Sequence, residues 1–325
     1  MKGRWVDQVI RDQVIDFIGY WSDKADTPVK QILSWIGLCA NQYHRWKAPY
    51  GQPNVHNGLI PRTFWLLAWE KQAIIEYYMQ HPEEGYRRLS YRMLDEDVVA
   101  VSASSVYRLL KYSGLLIPSR KTPSKKGKGF EQPDYVHQHW HVDVTYINIC
   151  GTFYYLCALL DGHSRYIVHW EIREKMTEAD IEIIIQRGRE HFPNAHPRII
   201  SDNGPQFIAR EFKDFVKICG MTHVRTSPFY PQSNGKIERW NGSLKQECIR
   251  PKAPTSLEEA RRVVAKFVDH YNTKRLHSAI GYVAPADKLH SRHIQIFQDR
   301  KSKLAQARFH RAKVAFHDVK QVANL

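Results

Sequence analysis

The 325-residue chain is poor in cysteine, with five in all: Cys39, Cys150, Cys157, Cys219 and Cys248. They form no C-x-x-C pair, so neither a disulfide framework nor a zinc ribbon is expected, and a reducing cytoplasm suits the chain best. No apolar run approaches the roughly 20 residues that span a bilayer. Acids interrupt the apolar positions of the N-terminus, which excludes a plain secretory leader. Neither GxxxxGK[ST] nor GxGxxG occurs, so no nucleotide cofactor is expected. Acidic residues are in deficit, 33 against 48 Lys and Arg, giving a formal charge of +15.

Hydrophobic residues make up 43% of the chain, which is the globular norm and argues against wholesale disorder. The positive charge is concentrated. Residues 117–133 carry five basic residues and one acid, and residues 290–325 carry eight and two. Such runs point to a polyanion, most simply double-stranded DNA.

Prolines 118, 123 and 133, two glycines and Arg120, Lys121, Lys125, Lys126 and Lys128 mark residues 117–133 as a basic linker able to lie along DNA. The sequence before it reads as helical. In residues 1–57 the pattern is helix, a glycine-containing turn at Gly37, then helix, with Thr27 and Pro28 opening the first of that pair. Asn41, Gln42, His44, Arg45 and Lys47 would then face DNA. Residues 58–116 repeat the theme. Gly85 breaks one helix, Arg87 to Leu94 form a second, and Ser102 caps a third. Val106, Leu109 and Leu110 would point inward and Ser104, Ser105, Tyr107, Arg108 and Lys111 outward. A helical hairpin serving only as a bundle fits the first segment equally well. The acids at 95–98 must turn away from any DNA.

After the linker, residues 134–289 alternate strands and helices. Three strands in a meander followed by alternating helices and strands predict an α/β fold with a mixed sheet. His139, His141, Asp143 and Thr145 share one face of the first strand. Thr177 and Asp180 make a capping box for one helix. In the last helix Ile237, Trp240, Leu244 and Cys248 form an apolar stripe, and Glu238, Asn241 and Lys245 form the stripe beside it.

Three acids stand out. Asp143 lies inside a strand, Asp202 ends a short apolar strand before Asn203-Gly204-Pro205, and Glu238 sits one turn into a helix. Hard oxygen donors suit Mg²⁺ or Mn²⁺, and two such ions about 3.5–4 Å apart serve phosphodiester displacement. Each acid alone is equally consistent with a cap or a solvated turn. A histidine metal site at His137, His139 and His141 is a weaker alternative to a polar strand entrance. Asp161 and Arg165 are expected to pair within a turn, and Arg275 and His277 to anchor the end of the core.

The motifs W-x-x-D-V-T-Y-I from Trp140, D-G-H-S-R from Asp161, I-I-S-D-N-G-P-Q-F from Ile199, S-P-F-Y-P-Q-S-N-G-K-I-E-R-W-N from Ser227 and Y-N-x-x-R-L-H-S-A-I-G-Y-x-A-P-A from Tyr271 resemble the catalytic core of the retroviral-integrase superfamily. The 35 residues between Asp202 and Glu238 match its characteristic spacing. With the helical units upstream, the chain resembles bacterial insertion-sequence DDE transposases. The resemblance implies a ribonuclease-H-like core of five strands preceded by two helix-turn-helix domains. It implies a catalytic and metal-binding triad of Asp143, Asp202 and Glu238 holding two Mg²⁺, which Mn²⁺ can replace. It further implies binding of transposon ends and target DNA, strand cleavage and strand transfer, and a dimer or larger homo-oligomer on DNA near the bacterial nucleoid. Lys245 matches a position that contacts terminal DNA. Asn203, Asn234 and Asn241, with Gln206 and Ser233, are expected to shape the site or touch DNA. Residues 290–325 are expected to form a basic tail. A DNA-binding regulator without catalysis, and a nuclease without strand transfer, are the competing readings.

Overall fold

The computed structural model describes residues 6–52, 65–116, 132–225 and 234–323. Two compact units emerge. One comprises Met1–Trp65 with Phe309–Leu325, and the other Leu66–Arg308.

The first unit contains α1 (Gln8–Lys24), α2 (Val29–Ile36) and α3 (Ala40–Lys47). Ile15, Ile18, Ile32, Leu33 and Tyr43 form its small core. Asp7 caps α1 by accepting from the Val9 amide at 2.9 Å. Arg11, 1% exposed, ties α1 to the chain beyond α3 by donating to the Pro49 and Gln52 carbonyls at 2.7 and 2.9 Å. Gly37 makes the turn between α2 and α3 at φ +67°, where a Cβ is disfavoured. One local expectation fails. Thr27 does not cap α2, because its hydroxyl donates to the Ala25 carbonyl and Pro28 stands at the cap.

The second unit opens with α4 (Ala68–Gln80), α5 (Tyr86–Asp95) and α6 (Ala103–Tyr112) around Ile74, Leu89, Met93, Val106 and Leu110. Ser102 caps α6 by accepting from the Ser105 amide. The core region follows. It contains β1 (His139–Ile149), β2 (Thr152–Asp161), β3 (Ile167–Arg173), α7 (Glu178–His191), β4 (Arg198–Ser201), α8 (Arg210–Ile218), β5 (Thr222–Arg225) and α9 (Gly235–Leu244). After α9 come a π-helical turn (Lys245–Ile249), α10 (Arg250–Lys252), α11 (Leu257–Thr273), α12 (Pro285–Leu289) and α13 (His293–Ala323). The basic tail is thus a long helix.

The sheet runs β3-β2-β1-β4-β5. β1 and β2, and β2 and β3, pair antiparallel, while β4 lies parallel to β1 and β5 parallel to β4. Strand alternation sends Trp140, Val142, Cys157 and Leu159 to one face, under α7 and α8. Ile147, Ile149, Leu156, Ala158 and Leu160 go to the other, under α9 and α11. Covering both faces buries the strands, which is why they read as apolar runs. The capping box of α7 forms as expected, with Thr177 and Asp180 exchanging bonds. Gly188 lets α7 approach closely, since a Cβ there would lie 2.8 Å from Leu159 Cδ1. This mixed five-stranded sheet between helical layers is the ribonuclease-H-like core expected from the sequence.

Candidate active site

The register of the central strands places the first two acids. His139 pairs with Arg198 and His141 with Ile200 in the parallel β1–β4 ladder. The ladder stops there, so Asp143 and Asp202 each lie two residues beyond its last pair, at the same end of the ladder on neighbouring strands. Asp202 follows the end of β4 in an exposed turn, where its Oδ1 accepts from the Gly204 amide at 3.0 Å.

Helix α9 supplies the third. Its apolar stripe of Ile237, Trp240 and Leu244 is buried, together with Cys248 in the following turn. The adjacent stripe lies along β1. The Asn241 amide donates to Asp143 Oδ2 at 2.7 Å, and Lys245 Nζ donates to Thr145 Oγ1 at 2.7 Å. Asn234 donates to the Val142 carbonyl at 3.2 Å and meets His141 Nδ1 at 3.3 Å. Glu238 stands between these contacts, one turn from Asn234 and Asn241, and is exposed.

Charge acts strongly on Asp143. Burial, then the negative charges of Asp202 and Glu238, push its carboxyl up to about 7, against a smaller lowering by the Asn241 bond. Asp202 and Glu238 therefore both lie within electrostatic reach of Asp143. Among the described residues, no three His, Cys, Asp or Glu side chains converge on one ion position. The donor set nevertheless suits a hard divalent cation. It consists of carboxylates that repel one another, and the buried Asn241 Oδ1 beside them has no hydrogen-bond partner.

The other expected residues divide. Asn41, His44, Arg45 and Lys47 are exposed on α3 and Gln42 is half-buried. Ser104, Tyr107, Arg108 and Lys111 are exposed on α6. Ser105 is not outward-facing. It is 8% exposed because its hydroxyl turns back to the Ser102 hydroxyl at 3.1 Å. Asn234 and Asn241 are 2% and 6% exposed, occupied in holding α9 to β1 rather than open to solvent. Asn203 is exposed in the turn after Asp202. Arg120, Lys121, Lys125, Lys126, Lys128 and Ser233 lie outside the described residues.

His139 and His141 are buried, and burial, Lys236 and Arg165 hold His141 down to about 3. It stays neutral, and no histidine metal cluster forms among the described residues. Arg275 does anchor the core, with Nη2 and Nε on the two Glu247 oxygens at 2.6 and 3.0 Å. The expected Asp161–Arg165 pair does not form. The Asp161 carboxylate accepts from the Ser164 amide and hydroxyl and from the His137 amide instead. Of the acids at 95–98, Asp95 meets Arg300 and Asp97 meets Lys303.

The integrase core domain family matches the chain twice, over residues 133–231 and 219–285. The matched residues hold the sheet and the three acids, so this part of the chain is similar to integrase core domains. An uncharacterized protein of insertion element IS476 from Xanthomonas euvesicatoria is 27% identical over 218 residues. That match covers 66% of this chain and 62% of the relative, so the chain spans about three fifths of its length. The transposase InsD for insertion element IS2 from Escherichia coli is 28% identical over 229 residues, covering 65% of this chain and 75% of its own. A solved HTLV-2 integrase catalytic core in complex with magnesium aligns at TM-score 0.40 and 20% identity, over 48% of this chain and 99% of its own. The chain is thus similar to insertion-element proteins, one of them a transposase. Among the described residues, no helix is long and apolar enough to cross a membrane.

Proposed function

We propose that the chain binds the terminal inverted repeats of an insertion sequence and catalyses DNA strand cleavage and strand transfer, with Asp143, Asp202 and Glu238 as the catalytic acids. The reading rests most on one observation: burial and the like charges of Asp202 and Glu238 raise Asp143. Such a carboxylate set is built to receive positive charge. Two Mg²⁺ ions, or Mn²⁺ in their place, would be held by these three residues and would supply Lewis-acid activation of the attacking and leaving oxygens.

The chain's own residues do the positioning. Asn241 fixes Asp143 Oδ2, and through it the direction in which the carboxylate faces. Lys245, bonded to Thr145 at the edge of the site, offers positive charge to a neighbouring phosphate. For cleavage a water oxygen attacks phosphorus and the strand's 3′-oxygen leaves. For joining, a 3′-hydroxyl attacks a target phosphodiester and another 3′-oxygen leaves. No covalent link to the protein is needed. Helices α3 and α6, with the linker lysines, would read and hold the ends. Bringing two ends together calls for a symmetric dimer or larger assembly.

The test is incubation of purified protein with labelled element-end DNA and Mg²⁺, resolving nicked and joined products. Wild type should give both. Asp143→Asn, Asp202→Asn and Glu238→Gln should each lose product by at least about 10³-fold while still binding ends, a loss of about 4 kcal/mol in the barrier. Near-wild-type cleavage by any one of them would remove that residue from the site.

A further inference from the structure

The D-G-H-S-R turn and the start of α9 gather more positive charge than the described residues neutralise. Arg165 takes φ +67°, and its Nε and Nη1 are buried without an acceptor. The acid four residues earlier, Asp161, is fully buried and saturated by Ser164 and His137. Lys236 Nζ donates to the Gly162 carbonyl, at 3.0 Å, and pairs with no carboxylate among the described residues. Arg239, one turn further along α9, is exposed and has no ion pair among the described residues. Positions 236 and 239 lie on one side of the helix. His141 Nε2 faces the same turn without a partner, 2.9 Å from where a Gly162 Cβ would stand.

These groups feel one another. Burial, and then Arg165, Arg275 and Arg239 among the neighbouring arginines, hold His277 down to about 4. Arg275 is already matched by Glu247, which leaves Arg165, Lys236 and Arg239 as the uncompensated set. Cations crowded together, two of them half-buried, cost stability until an anion joins them. Two guanidinium groups and an ammonium suit a phosphate, whose oxygens accept from several directions.

We propose that Arg165, Lys236 and Arg239 form a phosphate-binding pocket that grips one backbone phosphodiester of the DNA, apart from the phosphate at the carboxylates. The occupant rests on the function proposed above. The pocket itself rests on the unpaired charge. Gripping a second phosphate would fix the strand's direction across the site, so that the reacting phosphate reaches Asp143 and Asp202 in one register.

The experiment has two arms. In the first, inorganic phosphate is titrated into the full chain and melting is followed against chloride at equal ionic strength. Phosphate should raise the melting temperature of wild type, raise it less in Arg239→Gln, and leave Lys236→Gln/Arg239→Gln unchanged. An equal rise in all three proteins, or none in wild type, overturns the pocket. In the second arm, binding of an element-end duplex is measured against salt. The double variant should show a log–log slope shallower by about one unit, as expected when one phosphate fewer is neutralised. An unchanged slope overturns the assignment of DNA as occupant. A wild type that responds to phosphate yet binds no duplex upholds the pocket and sinks the transposase reading instead. Arg239→Gln, at an exposed position, keeps the outcome separate from any failure to fold.

Discussion

At Asp143, burial and like charge act together to favour the proton. An acid that holds its proton more tightly folded than unfolded gives stability that falls as pH rises. Here the window runs from about 4, the ordinary carboxylate value, to the about 7 of the folded state. Above pH 7 the metal-free protein carries the full cost. Asp143→Asn should therefore melt higher than wild type in EDTA at pH 8, although it is dead in cleavage. Adding Mg²⁺ should reverse the order. Wild type should gain about 2.7 kcal/mol at a hundredfold excess over Kd, and the variant much less. An Mg²⁺ gain equal in the two proteins would show that Asp143 holds no ion. Asn241 offers a finer test. Its bond is one of the features that lower Asp143. In Asn241→Ala the acidic limb of the cleavage pH profile should move to higher pH, and an unmoved limb would make Asn241 purely structural.

At the scale of elements, most of the site is legible in the sequence because strand and helix periods are simple. Alternation along β1 puts Asp143 on the face opposite Trp140 and Val142, and a step of three to four along α9 puts Glu238, Asn241 and Lys245 beside the apolar stripe. What periodicity does not carry is the partner. The resemblance leaves Asn241 and Asn234 either to shape the site or to touch DNA, and α9 packs so closely on β1 that their amides bond Asp143 and the Val142 carbonyl. The same holds for Arg165. An acid four residues earlier suggests a pair, but Ser164, nearer in the turn, occupies that acid. Edge strand β5 carries its own consequence. His223, bonded through Nε2 to Ser201 Oγ at 2.8 Å, is held down to about 4 by burial, Arg225 and Lys213. It is neutral when folded and charges near 6.5 when unfolded, so its contribution is present above about 6.5 and lost as pH falls toward 4. Unfolding free energy from urea melts between pH 5 and 6 should depend less steeply on pH in His223→Gln, by close to one proton. An identical slope would mean that the β4–β5 edge opens before the protein unfolds.

At the scale of the Leu66–Arg308 unit, the helical module is joined to the core by an ion pair that no local pattern announces. Arg300 of α13 is 5% exposed. It donates to both Asp95 oxygens, at 2.7 and 2.5 Å, and to the Gly281 and Tyr282 carbonyls, and its guanidinium lies 4.8 Å from the Tyr91 ring centre. Tyr91 stacks in turn on Tyr282 at 4.7 Å. The partners are 205 residues apart in sequence, and the basic tail reads as a DNA-binding segment because charge composition alone cannot distinguish a phosphate from a half-buried aspartate. The pairing gives Asp95 a partner within the fold itself. Asp95→Asn leaves the Arg300 charge buried and half-satisfied. It should cost about 2–4 kcal/mol, below the full buried-pair figure because Asp95 keeps part of its surface in water. Calorimetry separates the outcomes. If the pair couples module to core, the variant should melt with α4–α6 leaving first, as a second, lower transition absent from wild type. A single transition, merely shifted by about a degree or less, would reduce Arg300 to an ordinary surface group and leave stacking of Tyr91 on Tyr282 as the joint between the two parts.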